Sequence, residues 1–318
     1  MFSSPSAPRG AAIVALGEYQ PSRVVTNADL EERVDTSDEW IQSRVGIRER
    51  RIAGPEDTVT SMAVAAGGKA LAASGLSPED VDLVIVATCT VEDQIPNTAA
   101  TVAARLGVPA PGAFDLNAAC AGFCYALGVA SDMVRGGSSR NALVIGSEKL
   151  SDWVDWDDRS TCVIFADGAG AAIVSASEEQ GVGPVVWGSS GERADKIYLR
   201  DHQYLYQEGQ AVFRWTTTEL YKVALEALER AGVEPSELTA FVPHQANLRI
   251  VESIAKKLGA PQALVARDIV TAGNTSSASI PLALSRMIGR GELPSGSTVL
   301  TLGFGAGLVY AAQVIRIP

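Results

Sequence analysis

The stretch Phe114-Asp-Leu-Asn-Ala-Ala-Cys-Ala-Gly-Phe-Cys124 decides how the rest of the chain is read. An extended apolar segment, Ala113–Leu116, runs into small residues and a cysteine, and an Ala-rich helical stretch, Ala121–Val134, follows. A second stretch has the same build: Val270–Gly273 leads to Asn274, and a helical pattern covers Ser276–Ile288. Outward from these two, the order of elements repeats. Strand-like Leu83–Thr88 precedes the first and Thr239–Val242 the second, while Ala142–Ile145 and Thr298–Leu302 come after. Cys120 and Asn274 are separated by nearly the same interval as Ala142 and Thr298, whereas Gly168-Ala-Gly170 and Gly305-Ala-Gly307 stand closer. The slip predicts an insertion in the first half, around Glu148–Phe165. Further strands are expected at Ala12–Leu16, Ala171–Ser175 and Leu308–Ile315. Further helices are expected at Thr58–Ser74, Thr98–Leu106, Phe213–Ala231 and Asn247–Leu258. Apolar strands alternating with Ala-rich helices give an α/β fold with buried strands. A repeat of so long a period means two similar αβ halves, 1–182 and 183–318, rather than a solenoid. It places Cys120 and Asn274 at equivalent helix starts. If the halves pack about a pseudo-two-fold axis, two helix N-termini meet at the centre, where free N–H groups favour a thiolate or an enolate oxygen.

Composition narrows the function classes. The chain has 318 residues, 47% hydrophobic and 20% charged, which is globular. Its 26 basic and 37 acidic residues give a net charge of −11, which argues against nucleic acid or an anionic membrane surface as the main partner. No apolar run approaches the roughly 18 residues of a membrane span. The polar segment Met1 to Gly10 lacks the apolar core of a secretory signal. Cys89, Cys120, Cys124 and Cys162 form no C-x-x-C pair, so they read as reduced thiols in a cytoplasmic protein. With only two histidines, His202 and His244, and no H-E-x-x-H, no metal site is expected.

Three residues stand out as carriers of chemistry. Cys120 sits between a strand and a helix, flanked by residues small enough for a substrate to approach the backbone. A free thiol titrates near about 8.5, and a helix start would lower that and raise the reactive fraction. A buried structural cysteine is the other reading. Cys124, one helical turn on, reads as core, Cys89 as ending a buried strand beside a pocket, and Cys162 has no distinguishing context. His244, in Val242-Pro-His-Gln-Ala-Asn247, ends a strand, where sites form in α/β sheets. His202 lies in a polar stretch and reads as solvated. Asn274, in Thr271-Ala-Gly-Asn-Thr-Ser276, reads alone as a turn or helix cap. Gly303-Phe-Gly-Ala-Gly307 offers exposed backbone N–H groups but does not match a dinucleotide fingerprint.

Taken together, A-A-C-A-G-F at Cys120, P-H-Q-A-N-L-R-I at His244, G-N-T-S at Asn274 and the late G-F-G-A-G resemble the β-ketoacyl-acyl carrier protein synthase III family of the thiolase fold. Asp35-Thr-Ser-Asp-Glu-Trp40 with Arg44 and Gly46–Arg50, and Asp158-Arg159 before Asp167–Gly170, belong to the same resemblance. It covers nearly the whole chain. It implies a layered αβαβα fold and a decarboxylative condensation of an acyl-CoA primer with malonyl-acyl carrier protein, through an acyl-Cys120 thioester. It also implies that His244 and Asn274 hydrogen-bond the malonyl thioester carbonyl and stabilise the enolate. Backbone N–H groups of Cys120 and Ala306 would form the oxyanion hole. CoA would meet Thr36, Trp40, Arg44 and Arg159, with Gly209, Phe213, Asn247 and Phe304 along the pantetheine path. Acyl carrier protein would dock on Arg214, Gln245, Ala246, Asn247, Leu248, Arg249, Lys256 and Lys257. Ile95 falls where the family limits the primer pocket, often across a homodimer. No cofactor is implied, since acyl-CoA and malonyl-acyl carrier protein are substrates.

Other readings compete. A degradative thiolase needs a second cysteine in Gly303–Gly307, which has none, and an elongating ketosynthase needs a second histidine where Asn274 stands. A starter-unit ketosynthase or acyltransferase of a polyketide pathway shares the triad and is the alternative. A non-catalytic scaffold would not need the intact Cys-His-Asn set.

Overall fold

The computed structural model describes residues 10–318; the N-terminal segment read as lacking a signal lies outside them, save Gly10. The first half runs β1 (Gly10–Tyr19), β2 (Arg23–Thr26), α1 (Asn27–Glu31), α2 (Asp38–Val45), β3 (Glu49–Ile52), α3 (Val59–Ser74), β4 (Leu83–Ala87), α4 (Thr98–Arg105), β5 (Gly112–Leu116), α5 (Gly122–Arg135), β6 (Asn141–Lys149) and β7 (Asp167–Ser177). The second runs β8 (Val186–Ser189), β9 (Ile197–Arg200), β10 (Tyr204–Gln207), α6 (Gly209–Ala231), β11 (Ala240–Pro243), α7 (Leu248–Lys257), β12 (Leu264–Val265), α8 (Ile269–Ala272), α9 (Ser279–Gly289), β13 (Thr298–Gly305) and β14 (Val309–Arg316).

Two five-stranded sheets carry the molecule, in the orders β1-β7-β6-β4-β5 and β8-β14-β13-β11-β12. Strand for strand they have the same pattern. In each, the second to fifth strands combine an antiparallel pair with parallel neighbours. β4, Leu-Val-Ile-Val-Ala, is buried at every position because parallel neighbours flank it and helices cover both faces. Helices α3 and α4 cover the outer face of the first sheet, α5 and α9 fill the space between the sheets, and α6 and α7 cover the second. This is the five-layer αβαβα arrangement. Local chemistry sets the ends: Thr58 and Ser61 cap α3 reciprocally, and left-handed Gly75 stops it.

The duplication stands, but its register differs from the sequence reading by three residues. A short 3₁₀ turn, Ala119–Ala121, leads into α5, and its counterpart Ser276–Ala278 leads into α9. Cys120 is therefore matched by Ser277, and Asn274 by Asn117. Both asparagines make the same local bond. Ala119 N–H donates to Asn117 Oδ1 at 3.1 Å, and Ser276 N–H to Asn274 Oδ1 at 2.9 Å. The glycine pairing also fails. Gly168 and Gly170 lie inside β7, opposite Glu148 and Gly146, whereas Ala306 and Gly307 form the turn between β13 and β14. The expected insertion is real: residues 150–166 join β6 to β7, where only 306–308 join β13 to β14.

Candidate active site

The two helix starts meet at the centre of the molecule, as the repeat predicted. A Cβ on Gly122, the first residue of α5, would lie 3.4 Å from Ser277 Cβ. Around this point a pocket of about 550 Å³, its mouth included, brings together Cys120, His244, Asn274, Phe304 and Ala306. Cys89 and Ser276 line it as well, and Trp153, Phe165, Leu205, Val212 and Trp215 make its wall apolar. Cys124 is buried core, and Cys162 is buried within the insertion itself, beside Val163, Ile164 and Phe165. His202 is exposed in the β9–β10 turn.

Asn274 is pinned from both sides. Its backbone N–H donates to Ile164 O at 3.0 Å and its carbonyl accepts from Ala166 N–H at 2.9 Å, so the insertion in the first half holds a residue of the second. Gly273 ahead of it has φ +73, and a Cβ there would meet Ala166 Cβ at 2.7 Å, which leaves only glycine. A backbone N–H can only donate. The Ser276 bond therefore fixes Asn274 Oδ1 on the turn and leaves its NH₂ for the cavity. Asn274 is thus the turn cap expected from local sequence and a cavity donor too.

His244 Nδ1 lies 2.7 Å from Ser279 Oγ, which also accepts the Gln245 N–H at 3.3 Å. The Ser279 hydroxyl proton has no other acceptor among the described residues, so it is given to Nδ1, and in that tautomer the ring proton sits on Nε2. Burial pushes the imidazole down to about 3, so it is neutral and presents an N–H rather than a charge. Phe304 packs edge-on to the ring, centroids 5.1 Å apart.

The thiol departs from expectation. Burial pushes Cys120 up to about 12. The Ser276 hydroxyl pulls the other way, the Glu148 carboxylate adds to the rise, and the backbone N–H of Cys120 lowers it. A helix start was expected to lower it, but desolvation by the apolar wall outweighs that dipole. The resting nucleophile is a neutral thiol beside a neutral imidazole.

Two guanidinium groups lie near the Trp40 ring, Arg159 at 5.2 Å and Arg44 at 6.0 Å from its centroid. Arg159 also donates to Asp35 O at 2.6 Å, and Thr36 Oγ1 is buried without a partner. Of the expected pantetheine residues, Phe304 lines the cavity; α6 gives Val212 and Trp215 to its wall, while Gly209 and Phe213 stand outside that lining. The Phe213 ring instead lies under the Arg249 guanidinium, at 5.2 Å. Asn247 caps α7 at Arg249 N–H and donates to Arg44 O at 3.1 Å. The docking set needs correction. Gln245 is 1% exposed, its amide closing Pro243 O and Ile269 N–H, so it cannot meet a protein partner. Ala246 lines the cavity, and Leu248 packs against Gly46 at the end of α2. Arg214, Arg249, Lys256 and Lys257 are exposed on α6 and α7. Lys257 Nζ donates to Thr217 O and sits 4.9 Å from the Tyr221 ring. Ile95 is 89% exposed and far too open to wall its own chain's cavity. The segment between Gly191 and Gly209 folds as a 3₁₀ turn and the β9–β10 hairpin, giving Ile197, Leu205 and Gln207 to the cavity. Sequence reasoning missed Ser276 and Ser279, although both stand within six residues of Asn274, and it noted Glu148 only as the edge of an insertion.

A duplicated αβαβα fold with a cysteine, a histidine and an asparagine converging between the two halves defines a thiolase-fold condensing enzyme. Family models for 3-oxoacyl-[acyl-carrier-protein] synthase III match residues 114–191, and for its C-terminal part residues 228–317. A β-ketoacyl-[acyl-carrier-protein] synthase III of Streptomyces coelicolor is 57% identical over 98% of this chain and 99% of its own. Another, from Streptomyces avermitilis, is 55% identical over 97% and 99%. Among solved structures, the priming β-ketosynthase of the R1128 polyketide pathway superposes with a TM-score of 0.97 at 42% identity, covering 100% of this chain and 98% of its own. The Aquifex aeolicus 3-oxoacyl-[acyl-carrier-protein] synthase III gives 0.94 at 44%, covering 96% and 100%. The chain belongs to the β-ketoacyl-[acyl-carrier-protein] synthase III family and is an acyltransferase.

Proposed function

We propose that Cys120, His244 and Asn274 divide between them the initiating condensation of type II fatty acid synthesis. The observation that carries this reading is their convergence on one apolar cavity with both donors' N–H groups available to it. Cys120 attacks the acyl-CoA carbonyl; the S–C bond forms as the thiol loses its proton, and CoA leaves as its thiol. Backbone N–H groups of Cys120 and Ala306 hold the oxyanion. Malonyl-acyl carrier protein then enters. His244 Nε2–H and Asn274 Nδ2–H bind its thioester oxygen and stabilise the enolate as carbon dioxide departs. The enolate carbon attacks the acyl-Cys120 carbonyl, the Cys120 S–C bond breaks, 3-oxoacyl-acyl carrier protein leaves, and the Cys120 sulfur takes from solvent a proton in place of the one it lost in the first step. The apolar wall excludes water from both reactive intermediates.

Adenine stacks on Trp40 beside Arg159 and Arg44, with Thr36 adjacent; the indole and the unpartnered Thr36 hydroxyl support this. Carrier protein docks on Arg214, Arg249, Lys256 and Lys257, local cations on a chain of net charge −11. Ile95 caps the primer pocket of a partner subunit in a homodimer, which its exposure suits. The protein works in the cytoplasm without a cofactor; among the described residues no helix is long and apolar enough to cross a membrane. The halves divide at 182/183, ahead of β8, which opens the second sheet.

The likeness to a polyketide priming ketosynthase supports a second reading, starter-unit synthesis. A panel of acyl-CoAs assayed with malonyl-acyl carrier protein from fatty acid and polyketide systems tests both. Turnover with the fatty acid carrier is expected. No acyl-Cys120 with any acyl-CoA would overturn the condensing role, and turnover with the polyketide carrier alone would favour the second reading.

A further inference from the structure

Glu148, near the end of β6, is fully buried and forms no ion pair among the described residues. Its carboxylate gathers neutral donors from both halves instead. Oε2 accepts from Thr90 Oγ1 at 2.7 Å, Thr88 Oγ1 at 3.1 Å and the Cys89 N–H at 3.1 Å. Oε1 accepts from the hydroxyls of Ser276 and Ser277, each at 2.9 Å. Burying a carboxylate without a counterion is expensive, and apolar side chains of the same volume fill such a space at lower cost. The bonds it makes show what the charge does. Ser276 stands at φ +49, a left-handed conformation unfavourable for a residue with a Cβ. The same Ser276 donates its N–H to Asn274 Oδ1. In the equivalent first-half turn Ala119 stands at φ +45 and gives its N–H to Asn117 Oδ1 with no carboxylate present, so the turn forms without a clamp; the position matching Glu148 in β13 is Gly305, and Asn117 faces solvent rather than a reacting atom. The clamp exists only on the turn whose asparagine faces the cavity.

We infer that Glu148 is a positioning residue for the decarboxylation step: it holds Ser276 by the hydroxyl, Ser276 holds Asn274 Oδ1 by the backbone N–H, and the Asn274 NH₂ is thereby aimed at the enolate oxygen. The inference rests on Asn274 being an enolate donor. Glu148 also acts against the other half-reaction, since its charge raises both Cys120 and Cys89. The two steps of one reaction therefore respond to this carboxylate with opposite sign.

Glu148→Gln keeps the shape and removes the charge. Weakening a charge-assisted bond to a neutral one is expected to slow malonyl-acyl carrier protein decarboxylation, measured without primer, about tenfold. Alkylation of Cys120 by iodoacetamide should speed up at fixed pH, with its pH profile moved to lower values; Cys89 and His244 are the other titratable groups at the cavity. A core residue with no positioning role would lower both rates or neither, and either result overturns the inference. Position 276 gives a test independent of the fate of that variant. Glycine adopts positive φ freely, whereas alanine does so only at a cost in strain, as Ala119 does in the matched turn at φ +45. Ser276→Gly should therefore keep more decarboxylation than Ser276→Ala, and in the Ser276→Gly background Glu148→Gln should cost little further. Equal losses at Gly and Ala, or a full tenfold loss in the double variant, would also overturn it. Asn274→Ala run alongside separates the premise: if that variant decarboxylates normally, the donor reading itself fails.

Discussion

Gly305→Ala probes how tightly the nucleophile is seated. A Cβ at this position would lie 2.8 Å from Cys120 N, 2.9 Å from its Cβ and 3.1 Å from its Sγ. Comfortable carbon contacts begin near about 3.5 Å, so Cys120 must retreat by roughly half an ångström. It cannot rotate away, because all three crowded atoms belong to one residue in a turn packed against β13 and the Ser276–Ala278 turn. Overpacking of this kind costs about 1–3 kcal/mol of stability. Misplacing a reacting atom by about 1 Å costs about 100-fold in rate, so half that displacement predicts about a tenfold loss in acylation. The assay is single-turnover formation of acyl-enzyme, followed by mass spectrometry of the intact protein. Gly289→Ala is the control, since a Cβ there meets nothing within 4 Å. Decarboxylation should fall less than acylation, since the crowded atoms are those of Cys120 and not of His244 or Asn274. If Gly305→Ala acylates and melts like the control, the seating of Cys120 by β13 is wrong.

Four further outcomes are expected. His244→Ala and Asn274→Ala should still form acyl-enzyme but release trapped carbon dioxide about 10²–10³-fold more slowly, the loss typical of one oxyanion donor. Alkylation of Cys120 should climb steadily with pH and show no plateau near neutrality, because the thiol, held up at about 12, gains thiolate only as pH rises; a plateau near 7 would show a preformed thiolate. His244 binds a proton near 6.5 when unfolded but only near about 3 when folded, so its contribution to stability is complete above 6.5 and is lost as pH falls below it. Urea midpoints should fall between pH 6.5 and 4, by up to about 1.4 kcal/mol of stability per pH unit from this residue, and less steeply in His244→Gln. Arg249→Glu should raise the KM for malonyl-acyl carrier protein, more at low salt, and leave acylation by acyl-CoA intact; equal damage to both would place Arg249 elsewhere.

The legible parts of the fold were those governed by burial on both faces. β4, β6, β11 and β13 are near-continuous apolar runs, and α3, α5 and α6 are long enough for their pattern to show. The short strands were not legible, for physical reasons. β2 carries one charged residue in four and β3 three in four, and they pair only with each other. The β9–β10 hairpin is only half buried, so its pattern resembles a loop. The triad was legible because Cys120 and His244 stand just past the ends of β5 and β11; Asn274 was found by the repeat, although the extended lead-in expected at Val270–Gly273 is the short helix α8 instead. The triad's state of ionisation was not, since the walls that dry Cys120 come from residues 150–165 and from the hairpin, both distant in sequence. The three-residue error in the repeat came from matching glycines by spacing when they serve different ends: Gly168 and Gly170 lie within a strand, Gly307 in a turn at φ +132.

The matched turns before α5 and α9 bear on how such a centre arises. A symmetric pair of identical half-chains would present the same turn twice across its axis. Whatever residue served as nucleophile on one side would recur on the other, and so would the asparagine. Joining the halves in one chain releases each copy to change alone. Here Asn117 has turned to solvent while Asn274 is buried, and Ser277 lies in the core where its counterpart Cys120 lines the cavity. Gly305 leaves space at the thiol where Glu148 fills the corresponding space at the serine. An electrophile and an enolate can then be handled at adjacent, chemically different stations on one axis, which no strictly symmetric ancestor could offer.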